Sequence, residues 1–173
     1  MAEYYPRWEA GQDITADLLN AGLPRVIRKT ADTVKNNTTT VAADPELQIS
    51  LEANAVYVWE GWLKYDVRPT SDIQIDFSAP SGALGEWAGM GAGSGTGAST
   101  AAGYSIRTET NDITQFRTYY GTTASNPMAL FLYGTIRMGS TSGTFSLDWA
   151  PANAVAEDTT VYTDSWLKFQ RIA

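Results

Sequence analysis

The chain has 173 residues, 43% of them hydrophobic, and it contains neither cysteine nor histidine. These absences exclude disulfides, thiolate nucleophiles, Ser-His-Asp triads and the usual zinc sites. The formal net charge of −7 disfavours binding to nucleic acid or to an anionic membrane surface, since both rely on basic side chains. We therefore expect a protein that is not an enzyme and has no cofactor, metal, nucleic-acid or membrane partner.

The chain length suits one domain with a real core and a short appendage. Its composition divides it into an N-terminal anchor segment, residues 1–24, and a β-rich domain, residues 25–173. Charged residues interrupt the first stretch, so it has no signal-peptide core, and no apolar run approaches the length of a membrane span. We expect the protein to be made in a cytoplasm and not exported by the usual route.

The anchor segment combines aromatic residues with one short helix. The sequence predicts a helix of one or two turns with Thr15 as N-cap, an Ile14–Leu19 hydrophobic staple, and an end at Gly22 before Pro24. Such a helix is not stable alone. Its apolar groups must either fold back on their own domain or dock onto another protein or sister chains. The predicted contact residues are Tyr4, Tyr5, Trp8, Ile14, Leu18 and Leu19.

Short strands separated by turn residues fill the rest of the chain. The predicted strands are 26–30, 47–51, 56–67, 73–77, 84–87, 104–108, 114–119, 129–138, 144–149, 161–162 and 166–172, with turns at 36–37 and 44–45. No long helical crossovers separate them, so the sheets are expected to be antiparallel. The fold class is therefore all-β, an antiparallel β-sandwich that we expect to be jelly-roll-like.

Alternation within the predicted strands assigns their faces. In 56–67 the odd residues are expected to face the core, and Gly61 among them marks a bulge or the close approach of another strand. Ile73, Ile75 and Phe77 are expected to face inward. The strand 129–138 is apolar enough to be buried on both faces.

Glycine occupies every second position from Gly89 to Gly97. The tract is not a nucleotide-binding loop, because it lacks both Gly-x-Gly-x-x-Gly and Gly-Lys-Ser/Thr spacing and no helix follows it. We interpret residues 89–102 as a low-complexity loop between strands, either exposed or packed closely near an oligomer axis.

Two groups of polar and aromatic side chains remain as candidate sites. Asp72 and Asp76 are expected about 13 Å apart on one strand face, too far for a glycosidase pair, and solvated. An acidic stretch near Glu157 has no calcium-loop signature. Trp62 falls on the polar face of its strand, where it can contact a surface ligand such as a glycan, fill a subunit interface, or belong to the core.

The N-terminal stretch also carries a family resemblance. Residues 8–20, WEAGQDITADLLN, resemble the W-x-x-G-x-x-[IF]-T-A-x-x-L-N opening of small tail and fibre proteins of tailed bacteriophages, especially those of actinobacterial hosts. Further segments similar to these proteins are 26–32, 38–40, 44–47, 51–57, 79–83 and 164–173. Residues 85–128 carry little of the resemblance.

The resemblance implies a virion structural protein with no catalytic residues. In such proteins the N-terminal segment commonly attaches to the particle and a β-rich domain projects outward, often as a homotrimer, for contact with other virion proteins or the host surface. The same module is also compatible with capsid decoration or a head fibre, or with a glycan-binding receptor-recognition module, so both alternatives stay open.

Overall fold

The computed structural model describes residues 6, 8–93, 106–107, 109–121 and 127–173. Within these ranges the chain forms one short helix and a series of β-strands. The elements are α1 (Ala16–Ala21), β1 (Arg25–Arg28), β2 (Thr33–Lys35), β3 (Ala42–Leu51), β4 (Val56–Asp66), β5 (Ile73–Ser78), β6 (Leu84–Ala92), β7 (Ile106–Arg107), β8 (Asn111–Asp112), β9 (Arg117–Tyr119), β10 (Met128–Arg137), β11 (Gly143–Pro151), β12 (Thr159–Val161) and β13 (Trp166–Arg171).

The strands build two antiparallel sheets that pack face to face. The larger, nine-stranded sheet has the order β1-β13-β4-β10-β6-β7, with β2, β8 and β12 added beside it. The smaller sheet has the order β3-β11-β5-β9. The prediction of an all-β antiparallel sandwich is therefore confirmed.

The pairing pattern shows how the chain winds. Strands β1, β3, β4 and β5 pair in that order with β13, β11, β10 and β9, so the two halves of the chain form one antiparallel ribbon that wraps around the core. Eight strands in two such sheets make a jelly roll. The segment between β5 and β9 is an addition that extends the larger sheet beyond β10 through β6.

An aromatic cluster fills the space between the sheets. Trp59 and Phe169 enter from the larger sheet, and Phe77 and Phe145 enter from the smaller one. The Phe145 ring centroid lies 5.6 Å from Trp59, 5.4 Å from Phe77 and 5.4 Å from Phe169. Such tilted and offset ring contacts add to the stabilisation from apolar burial.

The predicted inward faces of β4 and β5 are confirmed. The odd residues of β4 and Ile73, Ile75 and Phe77 of β5 are all buried. Gly61 marks a close approach and not a bulge, because β4 pairs without a register shift and a Cβ at Gly61 would lie 2.4 Å from Leu167 Cδ2. The prediction for 129–138 was wrong, since Phe131 and Tyr133 on the outer side of β10 are exposed.

The start of the glycine tract is strand and not loop. Residues 84–92 form β6, which pairs with β10, and Gly89 and Gly91 face the core. A Cβ at Gly89 would lie 2.2 Å from the Tyr119 hydroxyl, and one at Gly91 would lie 3.2 Å from the Tyr119 ring. These glycines therefore make room for a buried side chain of the opposite sheet. Residues 94–102 of the tract lie outside the described residues.

The predicted turn at Asp44-Pro45 is instead an irregularity inside β3. The register against β11 shifts there, from Ala43 opposite Asp148 to Gln48 opposite Ser146. A bulge of this kind turns extra residues out of the ladder. Here it points the Asp44 carboxylate into the protein, where it is fully buried.

The Asp44 carboxylate holds a buried ion pair. Lys29 Nζ donates to both of its oxygens at 2.8 and 2.9 Å, and Trp149 Nε1 donates at 3.2 Å. The backbone N–H groups of Glu46 and Leu47 also donate to it. Both charged side chains have no exposure to solvent. This fully satisfied cluster fastens the end of β1 to β3 and β11.

Glu46 holds the neighbouring turn in place. Its carboxylate accepts hydrogen bonds from the hydroxyl and backbone N–H of Thr30 and from the N–H of Ala31. The hydrogen bonds from Thr30, followed by the one from the Ala31 N–H and then by the nearby Lys29 charge, lower the pKa of Glu46 from 4.5 to about 2.

We expect Glu46→Gln to lower stability only where the carboxylate is ionised. Because the folded-state pKa lies below the unfolded value, the wild-type advantage is full above pH 4.5 and disappears as the pH falls to about 2. Denaturant unfolding of both proteins across this range measures it. A stability difference that persists unchanged at pH 2 would contradict this assignment.

Candidate binding surfaces

The first candidate surface is the arm, residues 8–24, which precedes the sandwich. Four of its apolar side chains, Trp8, Ile14, Leu19 and Leu23, are between 48% and 63% exposed. No residue of α1 is buried. Leu18 is half-buried. The described part of the arm thus leaves its apolar side chains in contact with water, and they are not folded into the core.

Local hydrogen bonds shape the arm, and a few contacts attach it to the domain. The Thr15 hydroxyl accepts from the N–H of Leu18 at 3.2 Å, so Thr15 caps α1 as predicted. Helix α1 ends before Gly22, whose carbonyl accepts from Gln170 Nε2 of β13 at 3.1 Å. Pro6 packs against Gly22, where a Cβ would lie 2.9 Å from the proline ring. The arm is therefore held mainly at its C-terminal end.

The structure describes only some of the predicted contact residues. Trp8, Ile14 and Leu19 are exposed, whereas Tyr4 and Tyr5 lie outside the described residues. Ile14 and Leu19 each keep more than half of their surface exposed, so a staple between them gives little burial. Their assignment to a docking contact, and the boundary at residue 24, stay predictions.

The second candidate surface lies on the outer face of the larger sheet. The strand register places Trp166 of β13 opposite Trp62 of β4, Trp62 opposite Phe131 of β10, and Phe131 opposite Met90 of β6. We call these four side chains the aromatic row. Phe131 and Met90 are 50% and 43% exposed, and both tryptophans are half-buried. Alternation indicates the outward face of Trp62, but only the register reveals its neighbours.

A groove lies next to the aromatic row. Its volume is about 540 Å³, and its lining includes Val58, Tyr133, Gln170 and Pro24, the last residue of the arm. Lys168 and Glu60 stand opposite each other on β13 and β4 and form an ion pair along its wall. The assignment of Trp62 to a surface ligand stays a prediction, and the groove adds a concave feature that the sequence did not reveal.

The carboxylates are arranged differently from the expectation. Asp72 precedes β5 and accepts from the N–H of Gly121 at 3.0 Å. Asp76 is half-buried and lies opposite Asp148 on β11, a partner 72 positions away that sequence spacing does not reveal. Burial, and then the Asp148 charge, raises the pKa of Asp76. The prediction that Asp76 is solvated was therefore wrong.

Asp148 itself accepts hydrogen bonds from Ser78 and Ser146, both at 2.6 Å. In the part of the chain that the structure describes, no three acidic side chains come together in a way that would hold a metal ion. Near the predicted acidic stretch, Asp158 accepts from Asn36 and Asp164 pairs with Arg28. The same described residues include no helix long and apolar enough to cross a membrane.

Comparisons with known proteins do not assign this chain to a family. No protein-family model matches the sequence, and no curated protein matches it. Among solved structures, the tripod from the baseplate of bacteriophage Tuc2009 is 7% identical with a TM-score of 0.35, covering 97% of this chain and 75% of that one. A structure of infectious bursal disease virus, Gt strain, is 12% identical with a TM-score of 0.19, covering 96% and 43%. TM-scores this low establish no common fold, so neither likeness bears on function.

Proposed function

We propose that this chain is a structural protein of a tailed-bacteriophage virion, attached to the particle through its arm and displaying the jelly roll. The single observation that carries the proposal is the exposure of the arm. Trp8, Ile14, Leu19 and Leu23 lie in a segment whose only helix buries none of its residues against the sandwich. Leaving these groups in water forgoes the free energy that docking would provide.

The resemblance of residues 8–20 to phage tail and fibre proteins supplies the kind of partner. It falls on the exposed arm, which lies outside the two sheets. We assign the docking partner as another virion protein and the location as the tail, with a capsid-decoration or head-fibre position as the alternative. We also propose that the displayed domains associate, with a homotrimer as the expected number, and that they face the host surface.

The arm is tested by changing one exposed isoleucine. Ile14→Asp is expected to lower the number of copies in purified particles at least tenfold, because docking would then bury an unpaired carboxylate. Particles are produced in a host that expresses only the variant, and the chain is counted by quantitative mass spectrometry. The solution fold should be unchanged, since Ile14 is 63% exposed.

Phe116→Asp is the matched control, because Phe116 is also an exposed apolar side chain, at 51%, but lies on the sandwich between β8 and β9. It is expected to enter particles at the wild-type level. Equal incorporation of both variants would reject the arm as the anchor. Absence of the wild-type chain from particles would reject the virion role itself.

A further inference from the structure

We infer that the outer face of the larger sheet, centred on the aromatic row, is a contact surface for a second copy of this chain. This deepens the homo-oligomer part of the proposed function by assigning it to a surface. The aromatic row runs across β13, β4, β10 and β6, with Arg28 of β1 continuing it at one end. The described part of the chain leaves Phe131, Tyr133 and Met90 between 43% and 50% exposed.

The composition of the face is that of a protein contact. Trp, Phe, Tyr, Met and Arg are the residue types enriched in protein interfaces, and all five are present in two adjacent rows. A glycan fits this face less well than a protein does. Phe131 and Met90 offer no hydrogen bonds, and Lys168 and Glu60 already pair with each other. Flat sheet faces also pack well on one another, about 10 Å apart.

The charge on the face favours a copy of the same chain. The whole chain carries −7, so two copies repel each other on average. On this face four cationic side chains stand against five anionic ones, so its charge is close to balanced. They are Arg28, Lys64, Arg137 and Lys168 against Glu60, Asp66, Glu86, Asp112 and Asp164, the last through its ion pair with Arg28. Two copies can therefore approach here without the repulsion that other parts of the surface impose.

The size of the face is adequate for the centre of an interface. Five strands about 4.8 Å apart, with three outward rows about 7 Å apart, cover roughly 500 Å². A standard stable interface buries about 800 Å² on each partner. The face supplies more than half of this, and its polar margin supplies a rim. Whether two or three copies assemble, the aromatic row lies between neighbouring copies.

The test is the solution mass of the full chain by light scattering after size exclusion. The wild-type chain is expected at a multiple of its 18.8 kDa mass. Phe131→Asp is expected to shift it to the monomer and raise the dissociation constant about 100-fold, because a carboxylate would be buried in the contact. Phe116→Asp is the matched control, since Phe116 is 51% exposed but lies between β8 and β9, and it should assemble as the wild type does.

Circular dichroism checks that each variant is folded, and Tyr133→Asp replaces Phe131→Asp if that variant is not. A wild-type chain that stays monomeric at every concentration overturns the inference and leaves the row to another ligand, such as a glycan. Assembly that neither substitution weakens also overturns it. The two ideas fail separately: a chain that is monomeric in solution but present in particles rejects only this contact, whereas an oligomer absent from particles rejects only the virion role.

Discussion

Replacing Asp44 with alanine is expected to lower the free energy of unfolding by about 3–5 kcal/mol. The substitution leaves the Lys29 ammonium buried without its main counter-charge, since its remaining neighbours are the Thr33 hydroxyl at 2.7 Å and Glu46 at 3.6 Å. It also removes the acceptor for Trp149 Nε1. Native proteins usually have a free energy of unfolding of about 5–15 kcal/mol, so this loss is a large fraction of the total. Chemical denaturation at neutral pH measures it.

Lys168→Ala is the control for this experiment. It breaks the ion pair with Glu60, in which both side chains are partly exposed at 39% and 51%. Such a pair contributes about 0–1 kcal/mol because water screens it. If Asp44→Ala costs no more than Lys168→Ala, the buried pair does not fasten the end of β1 to β3 and β11 as described.

Replacing Phe145 with alanine is expected to have the second large effect, lowering the free energy of unfolding by about 3–5 kcal/mol. Phe145 is fully buried and touches rings from both sheets, including Trp59 and Phe169 of the larger one. The cavity would lie at the centre of the contact between the layers, where neighbouring strands cannot collapse into it. Thermal or denaturant unfolding gives the value, with an unchanged strand signal in circular dichroism.

Two controls separate this effect from a general sensitivity to losing a phenylalanine. Phe145→Leu keeps most of the volume and is expected to cost less than about 1.5 kcal/mol. Phe116→Ala removes an exposed ring and is expected to change stability by less than about 0.5 kcal/mol. Equal losses for Phe145→Ala and Phe116→Ala would be inconsistent with a core centred on Phe145.

The fold class was predictable because its signals are local. Alternation over β4 and β5 identifies buried faces directly, and the absence of helical crossovers leaves antiparallel pairing. The short helix was predictable for the same reason, since Thr15 and Gly22 mark its ends within a few residues. Signals of this kind need no knowledge of what the segment packs against.

The remaining features depend on partners that are distant in the chain. Gly89 and Gly91 carry no side chain that could signal a strand, and their spacing has meaning only once Tyr119 occupies the space beside them. Asp44 is placed by a bulge opposite Ser146 and Asp148, about one hundred positions away. A register is a property of two strands together, so one strand's pattern cannot reveal it.

Of the two candidate surfaces, one is indicated by local sequence and the other depends on distant strands. The arm could be recognised from its sequence, since aromatic and aliphatic residues cluster there without any strand pattern to bury them. Trp62 could be placed on an outward face from the alternation of its own strand. Its neighbours Trp166 and Phe131 come from strands that begin 104 and 66 positions after Trp62, and the pattern of one strand cannot indicate them. The aromatic row is therefore visible only in the folded sheet.

The most direct test of the virion role is the number of copies of this chain in density-purified, mature phage particles. Quantitative mass spectrometry against a known capsid protein measures it. The account predicts a fixed number of copies per particle, retained after washing in high salt, because the proposed arm contact is largely apolar. Complete absence from washed particles, with the chain recovered only from the lysate, would contradict it.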